Sequence, residues 1–317
     1  MNTRHLVDPQ IASMLETFPP LELNSHSLSS VRQRLNEMHQ EMLPTLPKFP
    51  NIEVTEHRVG PAGVRVLLYR PRGTVQPLPA LLWIHGGGYV IGSADHDDIA
   101  AKTLASEASC VVASVDYRLA PETVFPGPVE DCYAGLKWLH DQAAELGVDS
   151  TRIAVGGASA GGGLAACLSL LARDRKEVKL KFQLLIYPML DDRTVTNADP
   201  HPHTGEFIWT HADNRFGWSA MLGRTPGGSD VSPYAAASRA TNLADLPSTY
   251  LCVGSLDLFL EEDMDYALRL TRAGVPTELH VYPGGFHGFN VVAEAEVSLS
   301  YMRDLLGALR RAIVPSA

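Results

Sequence analysis

The sequence runs to 317 residues, 45% hydrophobic and 20% charged, which suits a globular chain long enough for one large α/β domain or two small ones. A formal net charge of −10, with no basic cluster of useful size, argues against a nucleic-acid or anionic-membrane surface. The stretch Met1 to Pro20 has no apolar core leading to a small-residue cleavage site, and no apolar run approaches the roughly 18 residues of a membrane helix.

A soluble, cytoplasmic protein is therefore expected. Cys110, Cys132, Cys167 and Cys252 lie far apart and mostly in apolar segments, which suits buried free thiols rather than disulfides or a metal site.

Residues 1–48 carry Leu6, Ile11, Met14 and Leu15, then Val31, Leu35, Met38 and Met42, at helical spacing. Interrupted near Pro19-Pro20 and closed by Pro44, Pro47 and Pro50, they predict one or two helices ahead of the sheet. Ile52 to Val59 and Val64 to Tyr69 alternate around Gly60-Pro61-Ala62-Gly63, the pattern of an antiparallel edge hairpin with polar and apolar faces. From Ala80 the pattern changes to short, nearly continuous apolar runs: 80–84, 111–115, 153–155, 182–186 and 250–253. Such runs predict a mostly parallel sheet covered by helices on both faces, an α/β fold. The intervening helices are expected over 97–109, 129–145, 159–173, 261–273 and 293–313. Between Met189 and about Ala237 lies an insertion rich in Pro, Asp, His and aromatics, among them Phe207, Trp209, Phe216 and Trp218, placed to roof a site.

Four stretches carry chemistry. The first is Arg152 to Ala166, RIAVGGASAGGGLAA, which reads as a buried strand, a sharp turn at Ser159, and a helix. Small neighbours are needed where a strained turn lifts a hydroxyl above the carboxyl edge of a sheet, and Gly157, Ala158, Ala160 and Gly161 supply them. Ser159 is therefore the candidate nucleophile. The second, LLWIHGGGYVIGS at Leu81 to Ser93, ends a strand in consecutive glycines. Bare backbone amides that approach closely suit an oxyanion hole, here assigned to Gly87 and Gly88 with the amide of Ala160. His85, directly before the glycines, is read as bracing that loop rather than as a base.

The third, PGGFHGFN at Pro283 to Asn290, places His287 on a loop after a strand, free to meet Ser159 as general base. The fourth, LCVGSLDLFLEED at Leu251 to Asp263, puts Asp257 after a buried strand, where it can orient His287. Glu261, Glu262 and Asp263 are rivals for that acid but are read as charge opening the next helix. Asp191 and Asp192 are rivals after the preceding strand. His201, His203 and His211 lack accompanying ligands at metal spacing and are read as solvated loop residues.

The strings HGGGYVIGS (85–93), DYRLAPE (116–122), FPGPVEDC (125–132), GGASAGGGLA (156–165) and FHGF (286–289) together resemble the hormone-sensitive-lipase family of bacterial carboxylesterases, family IV. The resemblance runs from about Pro79 to Phe289. It implies an α/β-hydrolase fold, a mostly parallel central sheet with helices on both faces and a helical cap. The cap would comprise N-terminal helices over 1–48 and an insertion at about 190–237 of a catalytic domain spanning 49–317. The catalytic triad it implies falls on Ser159, Asp257 and His287. This chain departs from the family pattern at Ala158, where Asp or Thr is common, and in the acid loop Asp257-Leu258-Phe259-Leu260-Glu261-Glu262, where the family has D-P-L-R-D-E. Tyr117, Arg118 and Glu122 are expected to form a buried network bracing the glycine loop.

The expected activity is hydrolysis of short to medium acyl esters through an acyl-enzyme, with no cofactor and no metal. The expected partner is a small-molecule ester, with no nucleic acid and no stable membrane association; a homodimer is possible through edge strands and the C-terminal helix. Amide hydrolysis by the same triad is one alternative. A catalytically weak small-molecule binding protein is another, since the family resembled includes a silent plant gibberellin receptor.

Overall fold

The computed structural model describes residues 2–18, 20–74 and 76–313. Its centre is an eight-stranded sheet in the order β1-β2-β4-β3-β5-β6-β7-β8. The strands are β1 (Ile52–Val59), β2 (Val64–Pro71), β3 (Leu78–Ile84), β4 (Val111–Asp116), β5 (Val148–Ala158), β6 (Phe182–Ile186), β7 (Ser248–Gly254) and β8 (Thr277–Tyr282). β2 pairs antiparallel with β1 and β4, and every pairing from β4 through β8 is parallel.

The continuous apolar runs have the cause expected of them. Along β3, Ala80, Leu82 and Ile84 join one core while Leu81 and Trp83 join the other, so successive side chains feed opposite faces. One core is covered by α4 (Gly127–Asp141), α6 (Ala160–Arg175) and α8 (Leu260–Arg272). The other is covered by α3 (Asp98–Glu107) and α9 (Glu296–Ile313). A single turn, α5 (Ala143–Leu146), follows α4 and ends at Gly147 in the left-handed conformation.

One expectation differs from the structure. The hairpin forms, but β1 does not divide into a polar and an apolar face: only Ile52 and Val59 are buried, and Val54 is 41% exposed. β1 is the outermost strand and lies beyond most of the helical cover, so apolar content does not ensure burial there. The N-terminal region holds one full helix, α2 (Leu28–Met42); before it come a turn at Arg4–Leu6 and the single turn α1 (Met14–Thr17). Helical spacing over so short a segment, interrupted by Pro9, does not nucleate a longer helix. Pro19 lies outside the described residues.

Three sets of contacts tie this region across the carboxyl edge of the sheet. The amide and hydroxyl of Thr3 donate to Glu206 at 2.8 and 2.7 Å, and the amide of Leu23 donates to Asp213 at 2.8 Å. Arg32 of α2 donates to the carbonyls of Val90 and Ala120 and pairs with Glu122 at 2.7 Å. Within the insertion, α7 (His211–Leu222) is capped at Thr210 by a reciprocal pair of hydrogen bonds with Asp213. None of the described helices is long and apolar enough to cross a membrane.

Candidate active site

Ser159 sits between the end of β5 and the start of α6 with φ 57° and ψ −122°, a conformation that side chains rarely adopt. Its amide donates to the carbonyl of Ile186 on β6, and its carbonyl accepts from Gly163 and Met189, so neighbours on two sides hold the strained residue. The small residues around it are required by backbone approach. A Cβ on Gly157 would lie 2.5 Å from the carbonyl oxygen of Ile84, and one on Gly161 only 2.0 Å from that same oxygen.

The structure brings Ser159, His287 and Asp257 together in one line. Ser159 Oγ lies 2.9 Å from His287 Nε2, and His287 Nδ1 lies 2.8 Å from Asp257 Oδ2. Asp257 follows β7 and is fully buried, its other carboxylate oxygen accepting from the amide of Phe259 at 3.0 Å. The His287 loop follows β8 and packs so closely that a Cβ on Gly254 would meet the carbonyl of Gly285 at 2.2 Å. Around the imidazole stand the rings of Tyr187 and Phe259, edge-on at 4.8 and 5.2 Å between centroids, with Trp209 at 6.3 Å.

The glycine loop leaves β3 beside the serine. Gly87 and Gly88 have φ of +112° and +56°, and among the described residues their amides donate no hydrogen bond. Ala160 opens α6, where a first-turn amide has no partner within its own helix. His85 is buried with its Nδ1 2.8 Å from the carbonyl oxygen of Gly86 and its ring stacked on Tyr117 at 4.3 Å. Burial lowers its pKa, favouring the neutral ring of a bracing residue.

The YRLAPE stretch divides its work. Tyr117 donates to the carbonyl of His85 and braces the glycine loop as expected. Arg118 instead forks onto the buried Asp131 at 2.7 and 2.9 Å, and Glu122, largely exposed, meets Arg32 of the N-terminal region. The expectation of one buried network is corrected in those two members, because both side chains leave the loop for neighbouring elements.

The rival acids are occupied elsewhere. Asp191 pairs with Arg193, and the buried Asp192 with Arg239. Glu261, Glu262 and Asp263 all lie in the first turn of α8, as read; Glu261 is exposed, but Glu262 and Asp263 are buried and so are not surface charge. Glu262 accepts from the amides of Leu190 and Asp191 and the hydroxyl of Thr194, tying the start of α8 to the loop after β6. Burial holds the Glu262 carboxyl well above the usual range in spite of those donors. Of the three histidines, His203 is exposed and His201 partly so. His211 opens α7 with its Nε2 enclosed, which corrects its reading as solvated.

Tyr187, not singled out in the sequence, and Trp209, named there only as one aromatic of the insertion, complete its walls. Tyr187, at φ +34°, donates its amide to Cys252 and its hydroxyl to Asn290, three residues beyond His287. Trp209 lies against Gly88. Tyr187 carries a signal in its position directly after a strand, while Trp209 is one aromatic among several in an insertion whose path the sequence does not disclose.

Comparison with known proteins gives one answer. Residues 81–291 match a family model described as the alpha/beta hydrolase fold. The chain is 34% identical over 318 aligned residues to carboxylesterase NlhH of Mycobacterium tuberculosis, covering 97% of this chain and 96% of that protein. It is 42% identical to the solved structure of a bacterial heroin esterase, with a TM-score of 0.92 and coverage of 99% and 100%. Esterase LipW from Mycobacterium marinum is 34% identical, with a TM-score of 0.87 over 99% of this chain and 98% of its own. With the sheet, the strained serine turn and these matches along nearly its whole length, the chain belongs to the α/β-hydrolase family, among the carboxylesterases.

Proposed function

We propose that the protein is a serine carboxylesterase acting on short to medium acyl esters through Ser159, His287 and Asp257. The observation that carries this reading is the unbroken line from Ser159 Oγ to His287 Nε2 at 2.9 Å and from Nδ1 to the buried Asp257 at 2.8 Å. In that line His287 Nδ1–H donates to Asp257, which fixes the tautomer and leaves Nε2 to accept the serine proton. As Oγ attacks the ester carbonyl, the oxyanion is met by the amides of Gly87, Gly88 and Ala160, each donor lowering the barrier by roughly 3 kcal/mol. The imidazolium returns the proton to the departing alcohol. Water then gives its proton to Nε2 as it attacks the acyl-serine, and the imidazolium passes that proton to Oγ as the acyl–oxygen bond breaks and the carboxylic acid leaves.

The N-terminal region up to residue 48 and the insertion at about 190–237 serve as a cap over this site, supported by the contacts Thr3 to Glu206 and Leu23 to Asp213. Their mixture of aromatic and polar side chains favours small soluble esters over long lipid chains.

The test is hydrolysis of p-nitrophenyl acetate, butyrate and octanoate by wild type, Ser159→Ala and Asp257→Asn. Turnover with a burst of p-nitrophenol is expected from wild type. Ser159→Ala is expected to lose at least about 10⁴-fold in kcat, and Asp257→Asn roughly 10³–10⁴-fold. Wild type that binds esters without turning them over, or activity that survives Ser159→Ala, sinks the reading.

A further inference from the structure

The insertion sends one side chain into the site that the chemistry above does not use. Trp209 follows Ile208, whose φ is +62°, and the Trp209 amide donates to the carbonyl of Phe207 at 2.7 Å. A hydrogen bond spanning one residue of positive φ marks the strained form of γ-turn, and a β-branched residue is poorly suited to its centre. Directly after it, Thr210 and Asp213 cap α7, and the indole Nε1 donates to the buried Asn214 at 3.2 Å. The chain is bent hard before Trp209 and locked after it, so the ring is held in one place.

That place is the mouth of the oxyanion loop. A Cβ on Gly88 would lie 2.0 Å from Cη2 of the indole and 2.5 Å from Cζ2, and the ring centroid is 6.3 Å from that of His287. Gly217 of α7 closes on the same spot, where a Cβ would meet the carbonyl of Gly88 at 2.7 Å. The six-membered edge of the indole therefore stands beside the space that the substituents of a bound ester carbonyl occupy. The residues flanking Trp209, namely Phe207, Ile208 and Thr210, join Leu15, Phe18 and Leu21, with Arg4 and Glu206, around a cavity of about 260 Å³.

We infer that Trp209 is the specificity-determining residue that keeps the accepted acyl chain short, by closing the path from the acyl-serine to the cavity beneath the N-terminal region. The inference rests on the esterase reading above. A fixed aromatic wall rejects each added methylene by steric conflict, whereas an opened apolar channel rewards it, and one methylene in such a pocket discriminates by about tenfold or more.

The experiment compares kcat/KM for p-nitrophenyl acetate and octanoate, which share a leaving group, in wild type, Trp209→Leu and Trp209→Ala. Wild type is expected to prefer acetate. The octanoate-to-acetate ratio is expected to rise at least about tenfold in Trp209→Ala and by an intermediate factor in Trp209→Leu. A merely structural tryptophan would lower both substrates together and leave the ratio in place. Wild type preferring octanoate, or a ratio within about threefold of wild type in the variants, overturns the inference. Should Trp209→Ala fail to fold, as read by circular dichroism, Trp209→Leu decides alone. Wild type inactive on both esters, or active without Ser159, brings down the esterase reading and this inference with it. A Ser159-dependent wild type with an unmoved ratio brings down the inference only.

Discussion

Asp263 has no exposed surface, and among the described residues neither of its carboxylate oxygens has a hydrogen-bond partner. Burial, reinforced by nearby Glu262 and Asp257, raises its pKa well above the ordinary value of 3.8. The folded protein therefore holds a proton that the unfolded chain releases. Its contribution to stability is full below the unfolded value and is lost as pH rises toward the folded one. Asp263→Asn keeps the shape and removes this linkage. It is expected to be more stable than wild type at mildly alkaline pH by on the order of 1–3 kcal/mol, the advantage shrinking as pH falls toward about 4. Urea midpoints at the two pH values check this, and an advantage independent of pH would exclude it. The same stretch shows what single residues disclose. Asp257 was legible because a carboxylate directly after a buried strand lies at the sheet edge where His287 arrives. Glu262 and Asp263 were not, because a run of acids before a helix is explained equally well by the helix dipole. Only the packing of α8 under the loop after β6 separates these cases.

At the scale of elements, the serine turn depends on how closely α6 approaches β3. A Cβ on Gly161 would lie 2.0 Å from the carbonyl oxygen of Ile84 and 2.5 Å from that of His85, both backbone atoms that cannot rotate aside. Gly161→Ala is expected to cost on the order of 3 kcal/mol and to lower the thermal midpoint, with loss of esterase activity in the fraction that stays folded. A midpoint equal to that of wild type would show that the strand and helix separate at little cost. The strand, turn and helix here were legible because two-faced burial leaves a continuous apolar run and close approach leaves glycines. The roof was not. Its residues take their places from contacts between distant segments, such as Leu23 with Asp213 and Arg32 with Val90, and neither partner carries a local pattern that announces the other. β1 shows the converse, since its apolar residues predicted a buried face that the edge of the sheet does not provide.

Across the whole molecule, relatives match nearly the full chain, so the N-terminal region belongs to the same architecture as the sheet. Ser159, Asp257 and His287 come from loops after β5, β7 and β8, which the parallel sheet delivers to one edge. That edge is held from both ends of the sequence: the amide of Asp8 donates to the carbonyl of Gly284, in the loop that carries His287. The four cysteines are distributed through the same body. Cys110 precedes β4, Cys132 lies in α4, Cys167 in α6 and Cys252 in β7, each at most 1% exposed. Burial pushes the Cys110 and Cys167 thiols up to about 12. Since a thiolate is the reacting species, the folded protein is expected to be inert to an alkylating reagent, and modification to follow opening of the chain. The molecule thus carries its own clock: a timed pulse of iodoacetamide, read sulfur by sulfur in a mass spectrometer, counts the chains that have opened. Labelling of Cys252 ahead of Cys132 would show the β7 end, with Asp257 and His287, letting go first.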